Sequence, residues 1–383
     1  MKLGIISLLE DWPWGGSEVL WHRVAQYALS SRHAVCISHV AHSDLPKPLV
    51  ELQEEGTRLL ARAPRKEPAL SLATRILRRL GLQSKPNKWA AFWAENPDHV
   101  LINEPSAFVL GRYPELCEAL IQNRIPYSLL VQFNQDHRVL YQKHWQQMRK
   151  VYGQAHSIFF VSDRNRQVAM RQLAMDLPQA IVVNNPANLS EFTILPYPPP
   201  APYRRMATVA RLEANYKGQD LLLEVLAKPH WQKRPWHLSL YGKGPDEAYL
   251  KALIDYYGLG SRVSLEGYRS IEEIWKHQEL LILPSIAEGT PLSLMEAMWC
   301  GRAAVVTDVA GNAEWIIDGK TGFVAPAPTV QMISETLERA WQAQEQWEEM
   351  GGACYEYMQQ HYDSAPEKRI LRQITEEPEL DSV

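Results

Sequence analysis

The stretch from residue 288 to 296 combines residue types that suit the binding of a negatively charged ligand. Thr290 followed by Pro291 predicts the start of a helix, with the threonine side chain as the cap and the proline in the first helical position. The first main-chain amides of such a helix are unpaired and carry partial positive charge. Gly289 removes side-chain bulk where a phosphate would approach. The sequence therefore predicts an anion site at this helix start.

Two carboxylates, Glu288 and Glu296, flank the predicted anion site. Because Glu288 would repel a phosphate, we expect it to accept a hydrogen bond from a sugar hydroxyl or to stabilise an oxocarbenium-like transition state. Glu296 lies about 7–8 Å along the helix axis at a rise of ~1.5 Å per residue, which suits the reach from a diphosphate to the hydroxyls of a ribose. The alternative is that Glu288 caps a loop and Glu296 is an ordinary polar helix residue.

The elements that would position these residues are predicted from short apolar runs that alternate with helical patterns along the sequence. Such alternation predicts parallel sheets covered by helices, with strands buried on both faces. In two doubly wound domains that face one another, ligands bind at the carboxyl ends of the strands, so we expect the active site in the cleft between the domains. The predicted strands are residues 3–8, 34–40, 99–103, 127–132, 157–161, 180–183, 206–210, 237–241, 262–265, 280–283 and 303–307.

A proline-rich stretch at residues 195–202 separates the two series of strands. Proline at this density favours a stiff, extended connector. We therefore predict an N-terminal, acceptor-side domain over residues 1–190 and a nucleotide-sugar-binding domain over residues 191–360. Residues 361–383 are predicted to form a C-terminal helix and tail, for which packing back on the first domain is one arrangement. The alternative for 195–202 is a long surface loop within a single domain.

Composition excludes several classes of protein. A net charge of −4 over 383 residues argues against nucleic acid as the partner. The four cysteines lie far apart without metal-binding spacing, which favours free thiols in a reducing compartment. Because no apolar run approaches the ~20 residues needed to cross a bilayer, we predict a cytoplasmic location.

Further motifs of the second half follow one another in a characteristic order and spacing. Together with the two glutamates in an E-x7-E arrangement, they resemble family 4 of the retaining glycosyltransferases, which have the GT-B fold. The fold class that the resemblance implies is α/β, with two Rossmann-like doubly wound domains facing a central cleft. The motifs are Val-Ala-Arg-Leu at 209–212, Lys-Gly at 217–218, Tyr-Gly-Lys-Gly-Pro at 241–245, Leu-Glu-Gly-Tyr at 265–268, Cys-Gly at 300–301, Gly-Asn-Ala-Glu at 311–314 and Asp-Gly-Lys-Thr-Gly-Phe at 318–323.

The resemblance implies roles for individual residues. Arg211 and Lys217 would clamp the diphosphate and neutralise charge on the departing nucleotide, whereas Glu288 would act at the sugar. The main-chain amides from Gly289 to Leu292 would hold sugar or phosphate oxygens. The alternatives are a structural ion pair for Arg211 and a solvated surface side chain for Lys217.

Tyr268 follows a Gly in the second half, and the resemblance places this turn beside the nucleobase. Its ring would then stack on the base, and a buried structural tyrosine is the alternative.

The first half matches the family less closely. Family members carry a Gly-Gly element after the first strand, where the backbone approaches the donor phosphates or the acceptor, and Gly16 occupies that place. Many members have a histidine at the end of the strand predicted at 127–132, where this chain has Gln132, followed by Asn134. Gln132 could still donate a hydrogen bond to a sugar hydroxyl but cannot carry a proton. We assign Gln132 and Asn134 to the acceptor side.

Metal and cofactor requirements follow from what the sequence lacks. The chain contains no Asp-x-Asp pair, which metal-dependent transferases of the other major fold use to hold a divalent ion on the diphosphate. The histidines show no zinc-ligand spacing. We expect no metal and no cofactor, with the nucleotide diphosphate-sugar as a substrate.

A basic segment stands out in this acidic chain. From Arg58 to Lys88 there are nine basic residues and one acidic residue, and residues 72–80 have the spacing of an amphipathic helix. One interpretation is an anionic membrane surface or an anionic substrate as the partner. The other is an ordinary solvated helix packed on the first domain.

These observations predict a retaining transferase of the hexosyltransferase type. It would move a sugar from a nucleotide diphosphate-sugar to the hydroxyl of a glycan or lipid acceptor, for instance a lipid-linked or cell-envelope glycan in polysaccharide biosynthesis. The predicted place is the cytoplasm, with a peripheral position at the inner face of the membrane if the basic segment binds lipid. The alternatives are a sugar-nucleotide epimerase or phosphorylase of the same fold, or an inactive sugar- or membrane-binding relative.

Overall fold

The chain forms two compact units in the computed structural model, which describes residues 1–10, 12–65, 87–122, 125–189 and 191–376. Unit 1 comprises residues 1–161, 166–183 and the C-terminal residues from 365, and unit 2 comprises residues 162–165 and 184–364. The chain thus passes between the units after Val183 and again after Ser364. The proline-rich stretch, near which residue 190 was predicted as the boundary, belongs to unit 2.

Unit 1 contains a sheet of seven strands in the order β3-β2-β1-β4-β5-β6-β7, and all pairs are parallel. The strands are β1 (Lys2–Ser7), β2 (Ala34–Val40), β3 (Arg58–Arg62), β4 (His99–Glu104), β5 (Tyr127–Val131), β6 (Ser157–Phe160) and β7 (Ala180–Val182). The helices are α1 (Val19–Ser30), α2 (Lys47–Glu54), α3 (Ala90–Trp93), α4 (Pro114–Gln122), α5 (Gln142–Gln154), α6 (Asp163–Leu173) and, from the C-terminus, α15 (Pro366–Thr375).

Unit 2 contains a sheet of six parallel strands in the order β10-β9-β8-β11-β12-β13. The strands are β8 (Arg204–Val209), β9 (Trp236–Tyr241), β10 (Val263–Gly267), β11 (Leu280–Leu283), β12 (Ala303–Thr307) and β13 (Gly322–Ala325). The helices are α7 (Ala214–Lys217), α8 (Gln219–Leu226), α9 (Pro229–Gln232), α10 (Glu247–Tyr256), α11 (Ile271–Trp275), α12 (Leu292–Trp299), α13 (Val330–Gln342) and α14 (Trp347–His361).

Each sheet carries an apolar core on both faces, because alternate residues of a strand point to opposite sides. In β1, Leu3 and Ile5 enter one core cluster of unit 1, and Ile6 enters the other. The C-terminal helix α15 contributes Ile370 and Ile374 to the first of these clusters and packs against α1. The last helix of the chain therefore takes part in the fold of unit 1.

Both sheets reverse their strand order at one point. In unit 1 the reversal lies between β1 and β4, and in unit 2 it lies between β8 and β11. At such a point the loops from two neighbouring strands run to opposite faces of the sheet and leave a crevice, where doubly wound proteins bind their ligands. The carboxyl ends of the strands at these two points are therefore the expected ligand-binding positions.

Two strands and one segment differ from the sequence predictions or fall outside the description. Strands β3 and β13 were not predicted, and both lie at an edge of their sheet. The helix predicted at residues 72–80, and most of the basic segment around it, lie outside the described residues. Within the described ranges, no helix combines the length and apolar character needed to span a bilayer.

Candidate active site

The loops after β8 and β11 form the centre of the site in unit 2. The two strands are neighbours, with Leu280 paired to Met206, and both run in the same direction. Their following loops, residues 210–213 and 284–291, therefore leave the same edge of the sheet at its reversal point. Every catalytic residue predicted in this half lies in one of these loops or in the short helix α7.

Main-chain hydrogen bonds join helix α7 to the loop after β11. The amides of Ile286 and Ala287 donate to the Tyr216 carbonyl over 2.8 and 3.2 Å. Gly218 has φ of +62°, and a Cβ there would lie 2.1 Å from the Pro284 carbonyl oxygen. Only glycine permits both this conformation and this approach. The Lys-Gly pair of the sequence motif therefore brings α7 directly against the loop after β11.

Lys217 and Glu288 form an ion pair at this junction. The Lys217 ammonium lies 2.6 Å from Glu288 Oε1, and the Ser285 hydroxyl donates to the same oxygen over 2.8 Å. The side chain of Glu288 is 8% exposed and that of Lys217 is 23% exposed. Ser285 is itself buried, and its carbonyl accepts from the Thr307 hydroxyl over 2.5 Å. The structure thus places a carboxylate and a cation, both predicted as catalytic, in direct contact.

Arg211 follows β8 and contacts a different carboxylate. Its Nε lies 3.4 Å from Glu213 Oε2, and its side chain is 36% exposed. The Arg211 carbonyl accepts from the side-chain amide of Gln219 over 2.8 Å, which fixes the main chain at this position. The guanidinium is thus held at the strand end by an ion pair that is open to solvent.

The helix start differs from the prediction by one residue. Helix α12 begins at Leu292, and Pro291 occupies the capping position in an extended conformation, with ψ of 110°. The prediction that Thr290 caps this helix with Pro291 as its first residue was therefore wrong. A proline in the capping position supplies no side-chain acceptor, so this end has no side-chain cap.

Without a side-chain cap, two main-chain amides at the start of α12 remain available for a ligand. The amides of Leu294 and Met295 donate to the Pro291 carbonyl over 3.1 and 3.4 Å. Those of Leu292 and Ser293 donate to no other residue in the described part of the chain. Gly289, just before the helix, is held by its carbonyl, which accepts from the Gly311 amide over 3.0 Å. Two unpaired amides therefore remain at the helix start for an anion.

Glu296 faces the inside of unit 2. Its Oε1 accepts a hydrogen bond from the Asn188 amide over 3.1 Å, and the residue is 3% exposed. Burial raises the pKa of Glu296 to about 7, and the hydrogen bond to Asn188 acts in the opposite direction. The side chain is thus more than an ordinary polar residue of a helix surface, and one of its oxygens is already bound by protein.

Tyr268 lies at the far side of the same sheet edge. It follows β10, which is separated from β8 by β9, so at ~4.8 Å per strand it lies about 10 Å from the loop after β8. The Tyr268 side chain is exposed (79%), which rules out the alternative of a buried structural tyrosine. Gly267 before it has φ of +66°, and its carbonyl accepts from the Gly242 amide over 2.7 Å. The ring is therefore free of the core at a turn held by the main chain.

The three candidate residues of unit 1 differ in their exposure and in their hydrogen bonds to the protein. Gly16 is exposed and opens a single 3-10 turn, Gly16–Glu18, after β1. Asn134 donates to Gln172 over 2.9 Å and accepts from the Gln135 amide over 2.8 Å, so it stabilises its own loop. Gln132 is buried directly after β5, and its Nε2 donates to Asn103 over 3.3 Å.

A cluster of buried polar side chains surrounds the reversal point of unit 1, and most of its members were not predicted from the sequence. Burial raises the pKa of Glu18 and of Glu104 to about 7 in each case. Arg62 is also buried, and burial lowers its pKa to about 10. Its guanidinium donates to the Ser7 carbonyl and lies 4.9 Å from the ring of Trp89. The sequence held one indication of these residues, which is their position at the end of an element. Arg62 ends β3, Glu104 ends β4, and Glu18 ends the 3-10 turn that begins at Gly16.

A bound metal ion would need several ligand side chains in one place. Across the described ranges, no group of three or more His, Cys, Asp or Glu side chains has a geometry that could hold a metal ion.

The site residues of unit 2 lie in a segment with recognisable relatives. Residues 197–357, which include all of the predicted site residues of unit 2, match the family described as glycosyl transferases group 1. The GtfA subunit of the UDP-N-acetylglucosamine–peptide N-acetylglucosaminyltransferase of Streptococcus gordonii is 31% identical over 198 residues. That alignment covers 49% of this chain and 39% of the relative, so the chain spans well under half of the relative's length.

Solved structures share the fold over nearly the whole chain. Anabaena Alr3699/HepE in complex with UDP has a TM-score of 0.71 at 17% identity, covering 98% of this chain and 100% of that one. The pneumococcal O-GlcNAc transferase GtfA in complex with UDP and GlcNAc has a TM-score of 0.68 at 13% identity, covering 98% and 99%. The predicted fold class, an α/β chain with two doubly wound, Rossmann-like domains of the GT-B type, is confirmed, and residues 197–357 carry the sequence pattern of group 1 glycosyl transferases.

Proposed function

We propose that the chain is a family 4, hexosyltransferase-type glycosyltransferase that moves a sugar from a nucleotide diphosphate-sugar to an acceptor hydroxyl with retention at the anomeric carbon. The observation that carries the proposal is the Lys217–Glu288 ion pair beside the two unpaired amides of α12. It lies at the reversal point of the sheet, inside the segment that matches group 1 glycosyl transferases.

The ion pair suits both ends of the bond that breaks. As a nucleotide diphosphate leaves, negative charge grows on its phosphate oxygens and positive charge grows on the sugar ring. Lys217, Arg211 and the amides of Leu292 and Ser293 would stabilise the first, and Glu288 would stabilise the second. Because the Lys217–Glu288 contact exists without substrate, little reorganisation is needed when charge separates. The sequence predicted Glu288 as a carboxylate beside an anion site, and the structure adds the Lys217 ammonium as its partner.

No side chain is required as a nucleophile in this proposal. The acceptor hydroxyl attacks from the face that the diphosphate leaves, and the departing phosphate takes the hydroxyl proton. The C–O bond to the diphosphate breaks as the C–O bond to the acceptor forms, so product and nucleotide diphosphate appear together. We propose that cationic side chains and amides perform the task without a metal ion or a cofactor.

The nucleotide would extend along the strand ends of unit 2. The exposed ring of Tyr268 would stack on the base, about 10 Å from the loop after β8. Glu296, placed one to two turns into α12, would accept from a ribose hydroxyl in addition to its hydrogen bond from the Asn188 amide. UDP is the nucleotide that we expect, because HepE and pneumococcal GtfA were both solved with UDP.

The acceptor belongs to unit 1 in this proposal. We propose a glycan or lipid-linked glycan of the cell envelope, handled in the cytoplasm, with a peripheral membrane position through the Arg58–Lys88 segment. A cavity of about 600 Å³ follows Asn134 and is lined by Arg138, Trp145 and Arg171, with the carboxylate of Asp136 also in its wall. An aromatic ring with two guanidinium groups suits a sugar that carries a phosphate or carboxylate.

Binding of the nucleotide is tested first. A ligand that binds only the folded protein raises its Tm, by an amount that depends on its concentration relative to Kd. Thermal unfolding with UDP-, GDP-, ADP- and CMP-sugars at equal millimolar concentration should show the largest rise for a UDP-sugar. A protein whose Tm responds to none of the four, and which shows no heat of binding in calorimetry, would contradict the proposal.

Turnover is tested second. Glu288→Gln should lower kcat by more than about 100-fold with a small change in nucleotide affinity, whereas Glu296→Gln should mainly weaken nucleotide binding. Equal and mild effects of both would refute these roles. Release of free nucleotide diphosphate that rises with added acceptor indicates transfer, since an epimerase releases none and a phosphorylase requires phosphate.

A further inference from the structure

A chain of hydrogen bonds runs through the buried polar cluster of unit 1. Gln132 Nε2 donates to Asn103 Oδ1 over 3.3 Å, and Asn103 Nδ2 donates to Glu18 Oε1 over 2.7 Å. The other oxygen of Glu18 accepts from the Ser7 hydroxyl over 2.6 Å. All four residues are buried, and they lie after or at the ends of β1, β4 and β5. The chain therefore crosses the reversal point of the sheet.

The direction of this chain is set at Glu18. An ionised carboxylate can only accept hydrogen bonds, so Asn103 must turn its NH2 group towards Glu18. Its carbonyl oxygen then faces Gln132, which must in turn present its own NH2 group to Asn103. The side-chain oxygen of Gln132 then points away from Asn103. Through Asn103, the Glu18 carboxylate thereby determines the orientation of the Gln132 amide.

The oxygen at the end of the chain has no partner. Gln132 Oε1 is buried and, among the described residues, no donor lies within hydrogen-bond distance of it. An unsatisfied buried acceptor costs on the order of 1–3 kcal/mol, and most buried polar groups have a partner. Turning the amide over would place its oxygen against the Asn103 oxygen, so a rotation of the side chain would not remove the deficit.

We propose that Gln132 accepts a hydrogen bond from a substrate hydroxyl through Oε1, and that Glu18 and Asn103 are positioning residues that hold the amide in this orientation. The inference rests on the proposed function and reverses the role predicted from the sequence, in which Gln132 donates. Hydroxyl groups are abundant on a sugar and on any acceptor, and a hydroxyl donor supplies what this oxygen lacks.

The pH for the test follows from the surroundings of Glu18. Burial raises its pKa to about 7, whereas hydrogen bonds from Ser7 and Ser17 and the positive charge of Arg62 favour the ionised form. At pH 8, above this value, the carboxylate form therefore predominates. Measurements at this pH sample the orientation seen in the structure.

The test reverses the direction of the hydrogen bonds between Gln132, Asn103 and Glu18. In Gln132→Glu, the new carboxylate accepts from Asn103 Nδ2, which turns the Asn103 oxygen towards Glu18, and two acceptors face each other at a pH where Glu18 is ionised. In the double variant Glu18→Gln/Gln132→Glu, the new amide at position 18 donates to Asn103 Oδ1 and every group is satisfied. The double variant also keeps the net charge and presents a free carboxylate oxygen at position 132.

The probe is the UDP-sugar that raises Tm most, and the signal is UDP release with water as acceptor at pH 8. We expect kcat/KM to fall by about 10- to 100-fold in Gln132→Leu and by at least that much in Gln132→Glu. The double variant should return to within about tenfold of the wild-type value. A change in KM for the UDP-sugar indicates a hydroxyl of the donor sugar, and a change in kcat alone indicates the O–H of the attacking water, which takes the place of the acceptor hydroxyl.

Two outcomes would overturn the proposal. If Gln132 donates to substrate, the double variant stays as inactive as Gln132→Leu, because a carboxylate cannot donate. If the chain is only structural, Gln132→Leu lowers Tm and leaves kcat/KM unchanged. Glu104→Gln is the matched control, since Glu104 is equally buried at the end of β4, bonds to Tyr152 and Leu110, and is outside the chain.

The failure of this inference is distinguishable from that of the proposed function. A protein that binds a UDP-sugar and releases UDP, yet shows either outcome above, retains its function and refutes the role of Gln132. A protein that binds no nucleotide diphosphate-sugar refutes both.

Discussion

Replacing Lys217 by methionine should destabilise unit 2 far more than breaking an exposed ion pair of the same length. The Glu288 side chain is 8% exposed, and after the change the Ser285 hydroxyl is its one remaining hydrogen-bond donor among the residues that the structure describes. Removing one partner of a buried pair costs roughly 3–5 kcal/mol, because the remaining charge is left uncompensated. We therefore expect Lys217→Met to lower the free energy of unfolding by roughly 3 kcal/mol or more.

The matched control is Arg339→Met. Arg339 also lies 2.6 Å from its partner, Asp318, but both side chains are about half exposed, at 48% and 47%. Exposed pairs contribute ~0.2–1 kcal/mol, since water screens both charges. The difference between the two variants therefore reports the burial of Glu288 at constant ion-pair distance.

The opposite change should be milder. In Glu288→Gln the lysine keeps an uncharged oxygen as its acceptor and is 23% exposed, so we expect a loss of roughly 1–2 kcal/mol. The double variant Lys217→Met/Glu288→Gln has no isolated charge and should lie within about 1 kcal/mol of Glu288→Gln. Its stability should thus exceed that of Lys217→Met, although its turnover is abolished.

Urea unfolding followed by circular dichroism measures these differences, with tryptophan fluorescence as a second probe. The reasoning is refuted if Lys217→Met costs no more than Arg339→Met, or if the double variant loses the sum of the two single losses. Additive losses would mean that the two side chains do not interact in the folded protein.

Three further predictions concern a turn, a buried acid and an exposed ring. Gly218→Ala should destabilise by roughly 2 kcal/mol or more, because its Cβ would lie 2.1 Å from the Pro284 carbonyl, whereas Gly258→Ala, with φ of +65° and no atom within 4 Å, should cost about 1 kcal/mol in urea unfolding. Glu104, whose pKa is raised from 4.5 to about 7, binds its proton more tightly when folded, so its contribution to stability is present at low pH and is lost as pH rises through 7; between pH 5 and 8 the wild type should lose roughly 2–3 kcal/mol more than Glu104→Gln, and equal slopes would contradict this. Tyr268→Ala should weaken nucleotide binding about 10-fold in calorimetry with Tm unchanged, and a loss of Tm would indicate a structural ring.

The positions of most strands along the chain could be predicted because the signal is strong and local. Central strands such as β4 and β11 contain a continuous apolar run and are buried over their whole length, and their bounds agree with the sequence prediction to within one residue. Strands β3 and β13 escaped prediction for a physical reason. Strand β3 carries arginines at both ends and β13 begins with glycine, so neither has the continuous apolar sequence run by which the other strands were predicted.

The candidate site of unit 2 could be predicted by residue type but not by contact. The positions of Arg211, Lys217 and Glu288 follow from motifs at strand ends. That Lys217 pairs with Glu288 depends on how tightly α7 packs against the loop after β11, which no local pattern encodes. The misplaced start of α12 has a similar origin, because a proline fits either the capping position or the first turn.

The two buried glutamates at the reversal points show why polarity in a sequence is a poor guide to a site. Glu18 and Glu288 each lie in a connection that follows a strand at the reversal, and each is buried. Glu288 has an ammonium 2.6 Å away, whereas Glu18 is bound by neutral donors from Ser7 and Asn103. The first arrangement concentrates charge where a bond to a phosphate would break, and the second uses a carboxylate to orient amides that carry no charge. Glu18 follows the first strand of its reversal, β1, and Glu288 follows the second strand of its reversal, β11. The same residue type beside the reversal point thus serves electrostatics in one unit and hydrogen-bond direction in the other, and the difference lies in the partner that each fold brings to it.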